Sequence, residues 1–166
     1  IASCLVGSEM CIRDRHPALQ GEAVEIHVAL DRCTDQTGVI ARAHGAITQE
    51  VCGGVGVARA DAARAAIARG AHWLACTDAD TRVPPDWLAA QLACAADAFC
   101  GVVEVTDWRD HLSQTRAASL ASEIRHDGHP HVHGANLGMR ASAYLAAGGF
   151  SNASSSEDVA LVAALE

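Results

Sequence analysis

Aromatic side chains are scarce in this sequence: two Phe, three Trp and one Tyr make up 4% of its 166 residues. A core built of large rings is therefore excluded. Half of the residues are hydrophobic and much of that half is alanine, so the expected core is one of small residues on closely packed helices. Basic runs are absent as well. With a formal net charge of −8 and no Lys/Arg block, nucleic acid is not an expected partner. No apolar stretch approaches the ~20 residues that span a bilayer. Membrane association, at the inner face of a membrane, is expected only through segments outside this sequence. No CxxC pair occurs among the seven cysteines at positions 4, 11, 33, 52, 76, 94 and 100. An odd, scattered set is not a disulfide framework, and it points to reduced thiols and a cytoplasmic location. Cys76, Cys94 and Cys100 lie in apolar runs and read as small core residues.

What is present is a globular composition, long enough for one domain with a core of its own. Residues 1–15 (IASCLVGSEMCIRDR) show no clean period and resemble neither a signal peptide nor a transit peptide. They are read as a non-native or disordered terminus and set aside. From residue 16 onward, strand and helix patterns alternate. Strands are expected over 24–30, 47–51, 72–77, 99–105 and 131–137. Helices are expected over about 34–43, 57–69, 84–97, 107–124 and 142–147, with a last one from Ser156 onward. Thr34 is the expected cap of the first helix, and Gly70 the C-terminal stop of the second. The alternation predicts an α/β domain with a largely parallel sheet flanked by helices. Ligands of such sheets bind at the carboxyl ends of the strands. Asp31 and the pair Asp78/Asp80 each follow a predicted strand end, so they are expected on one rim.

Four stretches can carry chemistry. In CTDADTRVPPDW, Asp78 and Asp80 stand two residues apart, and such a pair needs a nearby cation or solvent. Oxygen ligands of this kind suit hard Mg²⁺ or Mn²⁺, with coordination positions left over for phosphate. A solvated turn explains the pair equally well. In SSSEDVALVAALE, Glu157 and Asp158 open a helix, where the dipole favours negative charge behind a serine cap. A carboxylate there can also serve as a general base toward a hydroxyl. In HVHGANLGMR, small residues allow close approach of a ligand or backbone. His129, His131 and His133 alternate and would share one face of a strand, a conceivable zinc row. No Cys or carboxylate stands at ligand spacing, so a polar surface is the plainer reading. In GGVGVAR the glycines meet neither GxGxxG nor a P-loop. Arg59 is a cation that can meet a diphosphate, or simply a solvated arginine on a helix face.

Taken together and in order, the stretches VEIHVALDRCTDQT, GVGVARADAARAAIARGAHWLACTDADTRVPPDWL and HGANLGMRASAYLAAGGF…SEDVALVAALE resemble a family 2 glycosyltransferase with the GT-A fold, from about Val24 to Glu166. The resemblance implies an inverting, metal-assisted transfer of a sugar from a nucleotide-diphosphate donor to the hydroxyl of a glycan, lipid or small-molecule acceptor. It places Asp31 at the nucleoside, and Asp78 and Asp80 at the metal and diphosphate. It places Gly134, Ala135 and Asn136 beside donor sugar and acceptor, and Asp158, with Glu157 beside it, as the base. It also implies a partial domain of residues 16–166, without the family's opening strand and its part after the ED helix. Leu30 stands where many relatives carry a further Asp. A sugar-phosphate nucleotidyltransferase and a non-catalytic nucleotide- or glycan-binding fragment are the alternatives.

Overall fold

The computed structural model describes residues 16–166 except 123, 125 and 127; the expectation for residues 1–15 falls outside them. Among the described residues five strands form: β1 (His27–Asp31), β2 (Ile47–Val51), β3 (Trp73–Cys76), β4 (Ala98–Cys100) and β5 (Leu137–Arg140). Six α-helices accompany them: α1 (Thr37–Ala43), α2 (Val55–Ala68), α3 (Trp87–Ala93), α4 (Ser113–Ser122), α5 (Ala141–Ala146) and α6 (Glu157–Leu165). The alternation read from the sequence is present.

The strands lie in two sheets. β1 and β2 pair in parallel, Val28 opposite Thr48 and Leu30 opposite Glu50. In the other sheet β5 is central and runs antiparallel to both β3 and β4, with Met139 opposite Leu74 on one side and Ala98 on the other. Between the sheets lies a cavity of about 420 Å³, lined by His27 and Ala29 of β1, by β3, and by Ala62 and Ala66 of α2.

Helix α2 fixes the direction of the strands. Gly54, at φ +84°, makes the turn into it, a conformation that favours glycine. Asp31, at the end of β1, accepts from the N–H groups of Gly53 (3.2 Å) and Gly54 (2.9 Å). At the other end of α2, Arg69 grips Glu25 with bonds of 2.8 and 2.7 Å. β1 therefore runs antiparallel to α2. β3 follows α2 directly, and Asp78 just beyond it returns to Arg59 near the start of α2. Both strands thus deliver their carboxyl ends, and Asp31 and Asp78 with them, to the N-terminal end of α2.

The core is alanine-rich with few rings, as composition demands. Leu137 and Met139 of β5 are fully buried and pack with Leu74, Ala63, Ala66, Tyr144, Phe150 and Leu161. The Tyr144 hydroxyl accepts from the Phe150 N–H at 3.1 Å, which ties the loop after α5 to that core. Val28, Leu30 and Ala41 form a separate cluster under the β1–β2 pair. Cys76 and Cys100 pack against the main core, but Cys94 is exposed, its Sγ bonded to the Ala90 carbonyl. Burial pushes the Cys76 thiol up to about 11.

Several boundaries differ from expectation for identifiable reasons. Helix α1 starts at Thr37, where Asp35 rather than Thr34 accepts the free N–H, at 3.0 Å. Helix α3 starts at Trp87 and ends at Ala93, inside the expected 84–97. The strand expected over 131–137 is instead extended chain, then a 3-10 turn at Gly134–Asn136, and the strand begins only at Leu137. The strand expected over 99–105 ends at Cys100, because Asn136 takes over the pairing beyond it. The Asn136 carbonyl accepts from Gly101 N–H at 2.8 Å and its side-chain amide donates to the Val102 carbonyl at 3.0 Å.

Candidate functional site

A second cavity, of about 500 Å³, opens at the carboxyl end of β3. Asp78 and Asp80 line it from the loop after β3, Gly134 and Ala135 from the 3-10 turn before β5, Asp158 from the first turn of α6, and Arg59 from α2. Val102 to Val105 and Trp108 line it as well, together with His131 and His133. Residues distant in sequence thus meet on one concave surface, the arrangement expected of a ligand site at strand ends.

Asp158 is held by backbone. Its Oδ2 accepts from the Gly134 N–H at 2.7 Å and its Oδ1 from the Val159 N–H at 2.8 Å. The serine cap expected for this helix does not form: Ser156 sits at φ +59° and makes no side-chain capping bond. Glu157, next to Asp158, points the other way. It is buried at 3% exposure and does not line the cavity. Its carboxylate is met by Arg59 Nη1, while Arg59 Nη2 donates to Asp78 Oδ1 at 2.5 Å. Arg59 is therefore no solvated helix-face arginine; its side chain is 14% exposed and lies between two carboxylates.

Two residues taken from the resemblance stand elsewhere. Asp31 shares the rim but not the cavity, and its carboxylate is spent on the Gly53 and Gly54 N–H groups. Those bonds hold its pKa below the usual carboxylate value. Asn136 does not line the cavity. Its Oδ1 accepts from Trp87 Nε1 at 2.8 Å, and its amide is committed to Val102, so it braces the turn from behind. Conversely, Thr81 and Trp108 line the cavity and carried no sequence signal; only the packing of the loops brings them there.

The three histidines do lie in a row. Ring centroids are 5.7 Å apart for His129–His131 and 5.8 Å for His131–His133, side by side rather than converging. Among the described residues no three His, Cys, Asp or Glu side chains are grouped to hold a metal ion. Burial and the neighbouring His131 push the His133 pKa below that of a free imidazole, against the pull of Asp158. For a hard cation the fit is different. Asp78 and Asp80 offer oxygen donors on one wall, with one oxygen of Asp78 already engaged by Arg59. Two such carboxylates suit Mg²⁺ or Mn²⁺ that keeps most of its shell as water or phosphate oxygen. They do not suit an ion enclosed by protein.

The family model for glycosyl transferase family 2 matches residues 12–145. The chain belongs to this family. The match covers β1 to β5, including Asp78, Asp80 and Gly134, and stops before Glu157 and Asp158. No curated protein and no solved structure matches the chain. Family membership makes this a glycosyltransferase domain of α/β architecture, whose substrates as a class are a nucleotide-sugar donor and an acceptor.

Proposed function

We propose that this cavity transfers a sugar from a nucleoside-diphosphate donor to an acceptor hydroxyl with inversion, and that Asp158 is the general base. The observation that carries the reading is the meeting of Asp78, Asp80 and Asp158 on one cavity, although the last lies outside the family match. A diphosphate is multiply negative and this chain is acidic, so the donor needs a local counter-charge. Asp78 and Asp80 would hold a divalent cation, which when bound neutralises the diphosphate and the charge that develops on it as it leaves.

The protein's own groups do the rest. Asp158 is oriented by the Gly134 and Val159 N–H groups, so its remaining lone pairs are aimed without side-chain search. It takes the proton of the acceptor hydroxyl as that oxygen bonds to the anomeric carbon. The bond from that carbon to the diphosphate oxygen breaks on the opposite face, and the electron pair leaves with the diphosphate. Ala135, with a single methyl, keeps the wall beside Asp158 low enough for a sugar ring. Trp108, Val102, Val103 and Val105 line the same cavity, and their apolar groups can cover the acceptor and exclude water.

Asp158→Asn is the direct test. Removing a general base costs about 10²–10⁴-fold in rate, so transfer should fall by that factor while donor binding is kept. Transfer at close to the original rate would remove Asp158 from the role.

A further inference from the structure

Arg59 takes no part in the proposed transfer step, yet it is the least exposed arginine among the described residues. We propose that Arg59 is the positioning residue of the catalytic carboxylate: it ties the Asp78 loop to α6 and fixes the Gly134 peptide that holds Asp158. This deepens the transferase reading of the cavity and rests on it for the word catalytic only.

Three contacts converge on one guanidinium. Nη1 meets Glu157, Nη2 meets Asp78 at 2.5 Å, and the face of the group fills the space where a Cβ on Gly134 would stand. Gly134 in turn donates its N–H to Asp158. A chain of contacts therefore runs from the Asp78 loop through Arg59 to Glu157 and Gly134, and from Gly134 to Asp158. Buried Glu157 requires a counter-charge, and Arg59 supplies it. Neighbouring Glu157 and Asp158 thus divide the labour: one anchors the start of α6 inward, the other faces the cavity.

The geometry also explains why the group is arginine. A planar fork can serve two carboxylates on separate elements with two different nitrogens, which a single ammonium on a flexible stem does poorly. The same commitment argues against a phosphate ligand. Both terminal nitrogens are taken by protein oxygens, and little of the side chain is open to the cavity.

The test begins with the folding equilibrium of the whole chain, which does not depend on activity. Gly134→Ala forces the new methyl against the guanidinium, so its penalty should shrink by about tenfold or more in the folding constant when Arg59→Ala is already present. Additive penalties would overturn the proposed packing. The Gly134 amide proton, shifted by its bond to a carboxylate, should move in Arg59→Lys as it does in Asp158→Asn; an unmoved resonance in Arg59→Lys would overturn the link to Asp158. In transfer assays Arg59→Lys should lower kcat by about 10- to 100-fold with the donor KM nearly unchanged, the signature of a misplaced group. A raised donor KM with kcat intact would make Arg59 a phosphate ligand instead. If the unaltered chain transfers no sugar while coupling and amide shift are both seen, the transferase reading fails and the positional assignment stands.

Discussion

The backbone N–H of Gly134 donates to Asp158 Oδ2 at 2.7 Å, joining the turn before β5 to the first turn of α6. That bond, with the one from Val159, makes Asp158 a structural residue as well as a candidate base. Asp158→Ala leaves both N–H groups without their acceptor and should cost about 1–2 kcal/mol. Asp158→Asn keeps one oxygen and should cost less. Urea denaturation of the two variants checks this. Equal stability of Asp158→Ala and the unaltered chain would show that the bonds contribute nothing.

Asn136 braces the fold through Trp87 and Val102 and stands outside the cavity. Asn136→Ala removes the acceptor for Trp87 Nε1 and the donor to the Val102 carbonyl. Leaving buried polar groups unpaired costs about 1–3 kcal/mol each, so a large fall in unfolding free energy is expected. Acceptor KM, measured below the variant's unfolding temperature, should stay close to that of the parent. A selective rise in acceptor KM at unchanged stability would restore the substrate-facing role that the resemblance implied.

The alternation of strands and helices was legible in the sequence because it is local: β2 falls on the expected residues, and α2 and α5 nearly so. The acidic pair after β3 was legible for the same reason. What escaped were features decided by distant partners. No local pattern announces that Asn136 will bond Trp87, 49 residues away, and Val102, 34 residues away, and so shorten two strands. Nor does any pattern announce that Arg59 will meet Glu157, 98 residues on, so that its sequence reading stopped at a helix face or a diphosphate. The exposure of Cys94 and the place of Trp108 on the cavity wall are likewise consequences of packing.

Acidification should weaken the wall that carries His133. Its folded pKa lies below the ordinary 6.5, chiefly through burial and the adjacent His131, so the unfolded chain binds the proton more readily. The stability it contributes is complete above the unfolded pKa and is lost as pH falls through the folded one. Unfolding free energy measured from pH 8 downward should therefore decline below about 6.5, and His133→Asn should flatten that decline. An unaltered slope in the variant would show that His133 does not titrate with folding.

The hub of the main core is β5. Met139 has no exposed surface and touches both flanking strands' layers, so Met139→Ala should cost about 2–5 kcal/mol. Leu112 is 76% exposed, and Leu112→Ala should stay within about 0.5 kcal/mol. Hydrogen exchange should rank the same way, with amides of β5 slower than those of the two-stranded β1–β2 sheet. Faster exchange in β5 than in β1 would misplace the core.

If Asp78 and Asp80 hold a cation for a nucleoside diphosphate, binding of the nucleotide depends on that cation. Isothermal titration of UDP and GDP into the chain, with Mn²⁺ and then with a chelator, tests it most directly. Binding of one of them is expected to require Mn²⁺ and to be abolished in Asp80→Asn. Binding that is equally tight in the chelator and untouched by Asp80→Asn would contradict it.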